Sequence, residues 1–402
     1  MKKIILVILI IIISLFSGYL IGKFINITNI KNNNSKNSSS NYSNEKNNHE
    51  EKNEESTSVN KEIDIDNNIE KKAEELLETM TIEEKIGQMF LIRCNNVTAF
   101  EDIENYKVGG FILFDENIKG ESKESLSAKI KSYQERSSIN MIIAIDEEGG
   151  IVNRLSWYPQ FRAVPFYSPQ ALYTEGGYPL IVSDTEEKAT LLKSVGINMN
   201  LAPVCDISTD PNDYIYPRTF GKNPEETATY VKAVVETMNE NNIGSTLKHF
   251  PGYGSNLDTH LGISIDNRSY ESFINNDFIP FKAGVDAGAD SILVSHNIIT
   301  SMDETLPASL SKKVHDIIRN DLGFNGVIMT DDLQMSAIKE YMGEVNSAIF
   351  AVNAGNDLII SSDYKVQIPT VIEAVKNGYI KEDIIDKSVL KILKLKLKLK
   401  II

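Results

Sequence analysis

From about Ile69 onward, short runs of apolar residues alternate with longer stretches in which apolar residues recur every three or four positions. The short runs, Phe90 to Ile92, Phe111 to Phe114, Ile142 to Ile145, Asn198 to Ala202, Ser245 to Leu247, Ser291 to Val294, Val327 to Met329 and Asp357 to Ile360, predict eight strands. The intervening stretches, among them Lys123 to Arg136, Glu186 to Ser194, Glu225 to Asn241, Tyr270 to Ala287, Lys312 to Leu322 and Glu344 to Asn353, carry helical periodicity. Thr81-Ile82-Glu83-Glu84 has capping-box spacing and predicts the helix that leads into the first strand.

Strands that are apolar throughout belong to a parallel sheet covered on its outside. Eight of them, each followed by a helix, predict an α/β fold of the (β/α)8 TIM-barrel type. A doubly wound open sheet is the structural alternative. The residues that end the runs are Arg93, Asp115, Asp146, Asp206, Lys248 with His249, His296, Asp331 and Ser361. A barrel brings such positions to one mouth, where barrel enzymes do their chemistry; an open sheet spreads them along an edge.

The N-terminus follows a different pattern. Two lysines precede an almost uncharged apolar stretch of about 19 residues, within 1–25, which describes a secretory signal or an uncleaved membrane anchor. No cysteine follows it and no small-x-small cleavage site stands out, so an anchor is the reading adopted. Residues 26–68, rich in Asn, Ser, Lys and Glu, lack the apolar surface to offset the entropy of ordering and predict a disordered tether. The folded domain is then 69–402, expected to be exported and held at the outer face of the membrane, or secreted if the segment is cleaved. At the other end KILKLKLKLKII alternates like an exposed strand but follows a helical stretch; the expectation is a helix packed on the barrel that frays into a basic tail.

With 402 residues, 42% of them hydrophobic, the chain can build one large core. Its formal charge of -15 argues against a nucleic-acid partner. Two cysteines, Cys94 and Cys205, make neither a disulfide framework nor a metal spacing and are expected as buried thiols.

The densest chemistry lies in KHFPGYGSNLDTH, Lys248 to His260. Lys248 and His249 offer donors where a strand stops. Asp258 and His260 can set a carboxylate against an imidazole, orienting a ring that gives and takes a proton near neutral pH. Alone, the pair is equally compatible with a surface loop in which the two cap each other. In GVIMTDDLQM, neighbours on a strand face opposite ways, so one of Asp331 and Asp332 points into the mouth. A single inward carboxylate on a rigid strand end suits a nucleophile at a sugar's anomeric carbon, although both aspartates could simply begin the next helix. AIDEEGGIVNRL supplies Asp146, able to accept two sugar hydroxyls, and Arg154, which could lock that carboxylate, pair with it as a buried ion pair, or reach the sugar. Arg218, in the long loop after the fourth strand, is another candidate donor.

Together and in this order, DEEGG-x-V-x-R, P-R-T-F-G, KHFPG-x-G ending in D-x-H, and GVIMTDD resemble the bacterial β-N-acetylglucosaminidases of glycoside hydrolase family 3, from about Ile82 to Gly355. The resemblance implies a retaining, two-step hydrolysis by a single barrel without metal or organic cofactor; the expected reaction is removal of terminal N-acetylglucosamine from wall glycans such as peptidoglycan fragments, and a monomer is expected. By position, Asp331 matches the nucleophile and His260, paired with Asp258, the acid/base. Asp146, Arg154, Arg218, Lys248 and His249 match residues that bind the sugar ring. His296 is expected to be a wall residue. The sequence departs from its relatives at Tyr253, Ser255, Asn256 and Ile151, beside the dyad or the ring-binding loop, which bears on loop closure and substrate preference. A β-glucosidase or a phosphorylase of the same family and a non-catalytic glycan-binding barrel are the competing readings.

Overall fold

The structure, a computed structural model, describes residues 67–256, 262–342 and 344–402, all within the unit Ile65–Ile402. The N-terminal segment 1–25 and nearly all of the tether 26–68 lie outside the described residues, as do Asp258 and His260. No described helix is long and apolar enough to cross a membrane.

The strands follow the apolar runs. In chain order they are β1 (Phe90–Arg93), β2 (Gly110–Ile112), β3 (Ile142–Ile145), β4 (Met199–Asn200), β5 (Thr246–Phe250), β6 (Ile265–Asp266), β7 (Ser291–Val294), β8 (Ile298–Ile299), β9 (Val327–Thr330) and β10 (Ile359–Ser361). β2, β3, β5, β7, β9 and β10 are buried along their whole length, which is why most of their positions are apolar; β5 differs from its predicted run Ser245 to Leu247 in extending through the buried polar Lys248 and His249 to Phe250.

All ladders are parallel, as an α/β fold requires. Five strands form one sheet in the order β10-β1-β2-β3-β4, and three form a second in the order β5-β7-β9. Leu91 stands opposite Gly110, Gly110 opposite Ile142, and Ala144 opposite Met199, so successive βα units step across the first sheet in sequence order. Single parallel bridges join strand residues to residues flanking strands of the other sheet: Met199 with Gly244 and Val204 with Lys248 on one side, Met329 with Leu358 on the other. The expected α/β class is therefore present, with the ladder divided into sheets of five and three strands.

Two elements went unread in the sequence. β6 and β8 pair with each other outside the two main sheets, Ile265 opposite Ile298, and two residues are too few to carry a period. The predicted helix Glu186 to Ser194 is the C-terminal end of Pro169–Ser194, which is broken at Gly177, whose φ of 63° lies outside the helical region, with Pro179 just beyond.

Local signals otherwise behave as expected. Thr81 and Glu84 form the reciprocal capping box, Ser122 caps Lys123–Arg136, and Asn223 caps Pro224–Glu240 with proline at the first helical position. Cys94 and Cys205 are buried free thiols, and burial pushes Cys94 up to about 12.

The C-terminal expectation is corrected. The helix Glu382–Lys398 does not fray: Ile385, Val389, Ile392 and Leu393 bury one face. Its lysines are tied down as well, Lys391 to Asp357 at 2.9 Å, Lys398 to Asp290 at 2.6 Å and Lys394 to Glu70. Alternation in the letters hides a helix of which Lys391, Lys394 and Lys398 each find a carboxylate on another element.

Candidate active site

Asp146 follows β3, Lys248 and His249 lie near the end of β5, and Asp331 follows β9. A cavity of about 400 Å³ is lined by all four and by Arg154 and Arg218, with Arg93, Phe114, Ile151 and Tyr214 among its other walls. Every predicted site residue among the described ones thus meets in one cavity, whereas 257–261, with Asp258 and His260, are outside the description.

Part of the cavity wall, Asp146, Lys248 and Arg218, belongs to a buried ion network. The Lys248 ammonium lies 2.7 Å from Asp146 and 2.6 Å from Glu148, and Lys248 is 2% exposed. Arg218 donates to the same Glu148 through Nε at 3.0 Å and Nη2 at 2.7 Å, a two-point grip. Burial alone would push the Glu148 carboxyl up; Arg218 and Lys248 outweigh it and hold the group well below the usual carboxylate range. Burial likewise works against the charge on Lys248, and Asp146 and Glu148 reverse it, leaving the ammonium above its ordinary value. Arg218 is raised in the same way by Glu148. Asp146 and Arg154 do not form the ion pair considered from sequence: Asp146 pairs with Lys248, and Arg154 donates to the backbone carbonyl of Asn153 at 3.2 Å.

His249 is fixed from both ring nitrogens. Nδ1 is 2.7 Å from Asp206, which also accepts the His249 backbone N–H at 3.1 Å, and Nε2 is 3.2 Å from the Arg218 guanidinium. A guanidinium only donates, so Nε2 accepts and the proton sits on Nδ1 toward Asp206. Asp206 also accepts the Tyr253 N–H at 2.6 Å, tying the strand end to the first turn of the loop beyond it. The Lys248–His249 peptide bond is cis, and both side chains reach the cavity.

The loop after β3 is organised by Glu147, which is wholly buried. It accepts the backbone N–H groups of Arg154, Leu155 and Ser156 at 3.0, 2.7 and 3.1 Å, and the Ser156 hydroxyl. This clamp fixes the turn that carries Arg154. Gly149 is needed where it stands: its φ is +100°, and a Cβ would lie 2.3 Å from the Tyr167 carbonyl oxygen.

The two neighbouring aspartates have separate surroundings. Asp332 accepts the N–H of Ser362 and of Gln334, each at 3.0 Å, and the Ser362 hydroxyl, so it ties the end of β9 to the loop after β10. Asp331 continues the β9 ladder, its N–H donating to Val294 at 3.0 Å, and one carboxylate oxygen accepts the Asp332 N–H at 2.8 Å. His296 is wholly buried, with Nδ1 on the Ser309 hydroxyl at 2.7 Å and Nε2 on the Asp332 carbonyl at 3.0 Å.

The departures fall around this frame. Tyr253 sets its ring 5.7 Å from His249, Asn256 donates to Asp266 at 2.7 Å, and Ile151 stands 65% exposed at the cavity wall. Glu147, Glu148 and Asp206 were given no role from sequence, although the run Asp146-Glu147-Glu148 at a strand end was the available signal. Among the described residues no group of three or more His, Cys, Asp or Glu is disposed to hold a metal ion.

Comparison with known proteins gives a consistent picture. The profile described as the glycosyl hydrolase family 3 N terminal domain matches residues 81–395. A β-hexosaminidase of Tolumonas auensis is 32% identical over 286 residues, 69% of this chain and 82% of the relative. One of Xanthomonas campestris pv. campestris is 31% identical over 263 residues, 64% of this chain and 78% of the relative. The structure of a family 3 β-N-acetylglucosaminidase from Paenibacillus sp. str. FPU-7 superposes with a TM-score of 0.76 at 29% identity, covering 80% of this chain; this chain spans 63% of that one's length.

Proposed function

The chain belongs to glycosyl hydrolase family 3, and from that premise we propose that it is a retaining exo-β-N-acetylglucosaminidase that removes terminal N-acetylglucosamine from wall glycans. The observation that carries this reading is the shared cavity: Asp331 lines the same space as Asp146, Arg154, Arg218, Lys248 and His249. The order β10-β1-β2-β3-β4, continued by β5-β7-β9 through the bridges at Met199, Val204 and Met329, is read here as one closed (β/α)8 barrel.

In the mechanism, the cluster of Asp146, Arg154, Arg218 and Lys248 grips the ring hydroxyls. Asp146 accepts hydroxyl protons, while Arg154, Arg218 and Lys248 donate to the oxygens, which aligns the anomeric carbon with Asp331. The Asp331 carboxylate attacks that carbon as the glycosidic oxygen leaves with a proton from His260. Water, deprotonated by His260, then breaks the glycosyl-aspartate ester and returns Asp331 as a carboxylate. Asp258 orients the imidazole and balances its charge when protonated. The segment 1–25 is assigned as a membrane anchor and 26–68 as the tether, placing a monomeric catalytic domain outside the cell.

Release of an aryl alcohol from an aryl β-N-acetylglucosaminide tests the activity. Asp331→Ala is expected to lower kcat by about 10³-fold or more; a variant with the wild-type rate would remove Asp331 from the nucleophile's role. His260→Ala should impair substrates with poor leaving groups far more than those with good ones, because a good leaving group needs little protonation. Equal losses across leaving groups would exclude His260 as the acid.

A further inference from the structure

His296 is not among the walls of the cavity that holds Asp331, yet it is a wholly buried polar ring beside that aspartate's strand end. We propose that His296 is a positioning residue for Asp331: its imidazole fixes the Asp332 carbonyl, and through it the Asp332 N–H that holds the Asp331 carboxylate. The proposal rests on the hydrolase reading above.

The backbone register explains why a side chain is needed here. The parallel ladder of β7 and β9 pairs Val294 with Thr330, and the Asp331 N–H continues it to the Val294 carbonyl at 3.0 Å. Carrying the register two residues past that pair brings His296 level with Asp332. There the ring takes over from the ladder, with Nε2 3.0 Å from the Asp332 carbonyl oxygen. A carbonyl only accepts, so Nε2 carries the proton, and Nδ1 accepts from the Ser309 hydroxyl at 2.7 Å.

The ring stands on a braced backbone. The Ser295 N–H donates to the Phe250 carbonyl at 2.9 Å, the Ser295 carbonyl accepts the Ser309 N–H at 3.0 Å, and the Asn297 carbonyl accepts the Ala308 N–H at 2.8 Å. Ser309 is fixed in turn, because the wholly buried Asn356 donates its amide to the Ser309 carbonyl at 2.7 Å. Burying an imidazole costs free energy that an apolar side chain of like size would not. What the imidazole adds is a donor aimed at one carbonyl.

That carbonyl belongs to the residue that orients the nucleophile. The Leu333 N–H donates to Ile360 at 3.1 Å, and the Asp332 carboxylate accepts from Ser362 and Gln334. With His296 holding the carbonyl between these anchors, the Asp332 N–H is left pointing at the Asp331 carboxylate, 2.8 Å away. This bond sets the plane of the carboxylate that must meet the anomeric carbon. Without the ring, the backbone of Asp332 gains the freedom to swing its N–H off that oxygen, and a misplacement of about 1 Å is enough to cost about 100-fold in rate.

Two variants of the full chain separate positioning from packing. His296→Leu fills the space without a donor, and His296→Gln returns an N–H close to where Nε2 stood. On aryl β-N-acetylglucosaminides of graded leaving-group ability, His296→Leu is expected to lower kcat by about 100-fold with KM within about threefold of wild type. The loss should be the same for good and poor leaving groups, because the ring acts on the nucleophile and not on the proton donor. His296→Gln is expected to recover to within about tenfold of wild type. A loss that grows as leaving groups worsen, a loss carried by KM, or a glutamine variant no faster than the leucine one overturns the proposal. Should His296→Leu not fold, Ser309→Ala decides: it removes only the hydroxyl on Nδ1 and is expected to lower kcat by about tenfold at constant KM, whereas an unchanged kcat overturns the proposal. In wild type labelled with 15N-histidine, the resonances lost in His296→Gln are expected to show Nε2 protonated and Nδ1 bare; the reverse tautomer also overturns the proposal. This readout needs no turnover, so a wild type inactive on every aryl glycoside but carrying that tautomer would remove the hydrolase reading and leave the hold of His296 on Asp332 standing.

Discussion

The carboxylate of Glu148 lies 2.6 Å from the ammonium of Lys248 and accepts from Arg218 at two points, so one buried anion serves two cations that line the cavity. Removing one partner from such a group leaves uncompensated charge in a low dielectric, which costs on the order of 3–5 kcal/mol. Glu148→Gln is expected to lower the melting temperature and raise KM for the N-acetylglucosaminide, since both cations then lose the anion that orients them. Thermal denaturation and steady-state kinetics check both effects together; a variant with native Tm and KM would mean the network is dispensable.

The same carboxylate sets an acid limit. Its folded-state affinity for protons is depressed, so the stability it contributes is complete above the unfolded-state value, near pH 4.5, and is lost as pH falls below that value. Wild type is expected to lose stability steeply below about pH 4.5, and Glu148→Gln less steeply. Chemical denaturation at a series of pH values distinguishes the two slopes.

Asp331 and Asp332 are adjacent but should fail differently. Asp332 touches Ser362, Gln334 and its own strand end, so Asp332→Asn is expected to loosen the seam between β9 and β10 and lower kcat by about tenfold with a lower Tm. Asp331→Asn is expected to abolish turnover with Tm close to native. Asp332→Asn with the larger loss of turnover and an unchanged Tm would reverse the assignment.

Much of this frame was legible from patterns of burial. The strand Ile142–Ile145 was read to the residue because a parallel strand covered on both faces is apolar throughout, and Ser291–Val294 because its three apolar residues follow directly on the buried Ser291. Asp146, Lys248, His249 and Asp331 were found because chemistry in this architecture collects at strand ends. Glu147 and Glu148 escaped for the opposite reason. Acidic residues after a strand look like solvated loop, and only the folded chain reveals that one clamps three backbone N–H groups and the other joins two cations. Asp206 was noticed as a strand-ending residue, but its hold on His249 depends on a contact across 43 positions of sequence. The helix Glu382–Lys398 was half-hidden because its lysines find carboxylates on distant elements, which no local period encodes.

The turn leading into the loop with Asp258 and His260 depends on a close approach. Gly252 has φ +125°, and a Cβ there would lie 2.1 Å from Asp277 Oδ1. Arg268 closes the same corner, donating to the Gly252 carbonyl at 3.0 Å, to Asp266 at 2.8 Å and to Asp277 at 2.9 Å. Gly252→Ala must displace this corner, so kcat on alkyl glycosides is expected to fall by about 10–100-fold, with a smaller effect on KM because Asp146 and Lys248 stand elsewhere. A rise in KM at constant kcat would show that the corner serves binding rather than proton transfer.

Far from the cavity, Lys396 offers a test of the packing at the C-terminal helix. It is wholly buried, its ammonium donates to Gln88 Oε1 at 2.6 Å, and Gln88 in turn donates to the Lys107 carbonyl at 3.0 Å. Burial pushes the amine down to about 7. The unfolded chain keeps its lysine protonated up to about pH 10.4, so between about pH 7 and that value unfolding takes up a proton. Stability from this group therefore rises with pH across the window, and below pH 7 the cost of a buried charge is constant. Lys396→Met keeps the long unbranched side chain and removes the charge, so it should stabilise the protein at pH 7 by on the order of 2–4 kcal/mol. It should also flatten the rise in stability between pH 7 and pH 10. Activity at pH 7 is expected to match wild type, since the helix lies outside the cavity wall. Denaturant titrations of both proteins at pH 7 and pH 9 supply the check: equal pH slopes would mean that Lys396 keeps its charge in the fold, solvated by a route that the contact with Gln88 does not provide.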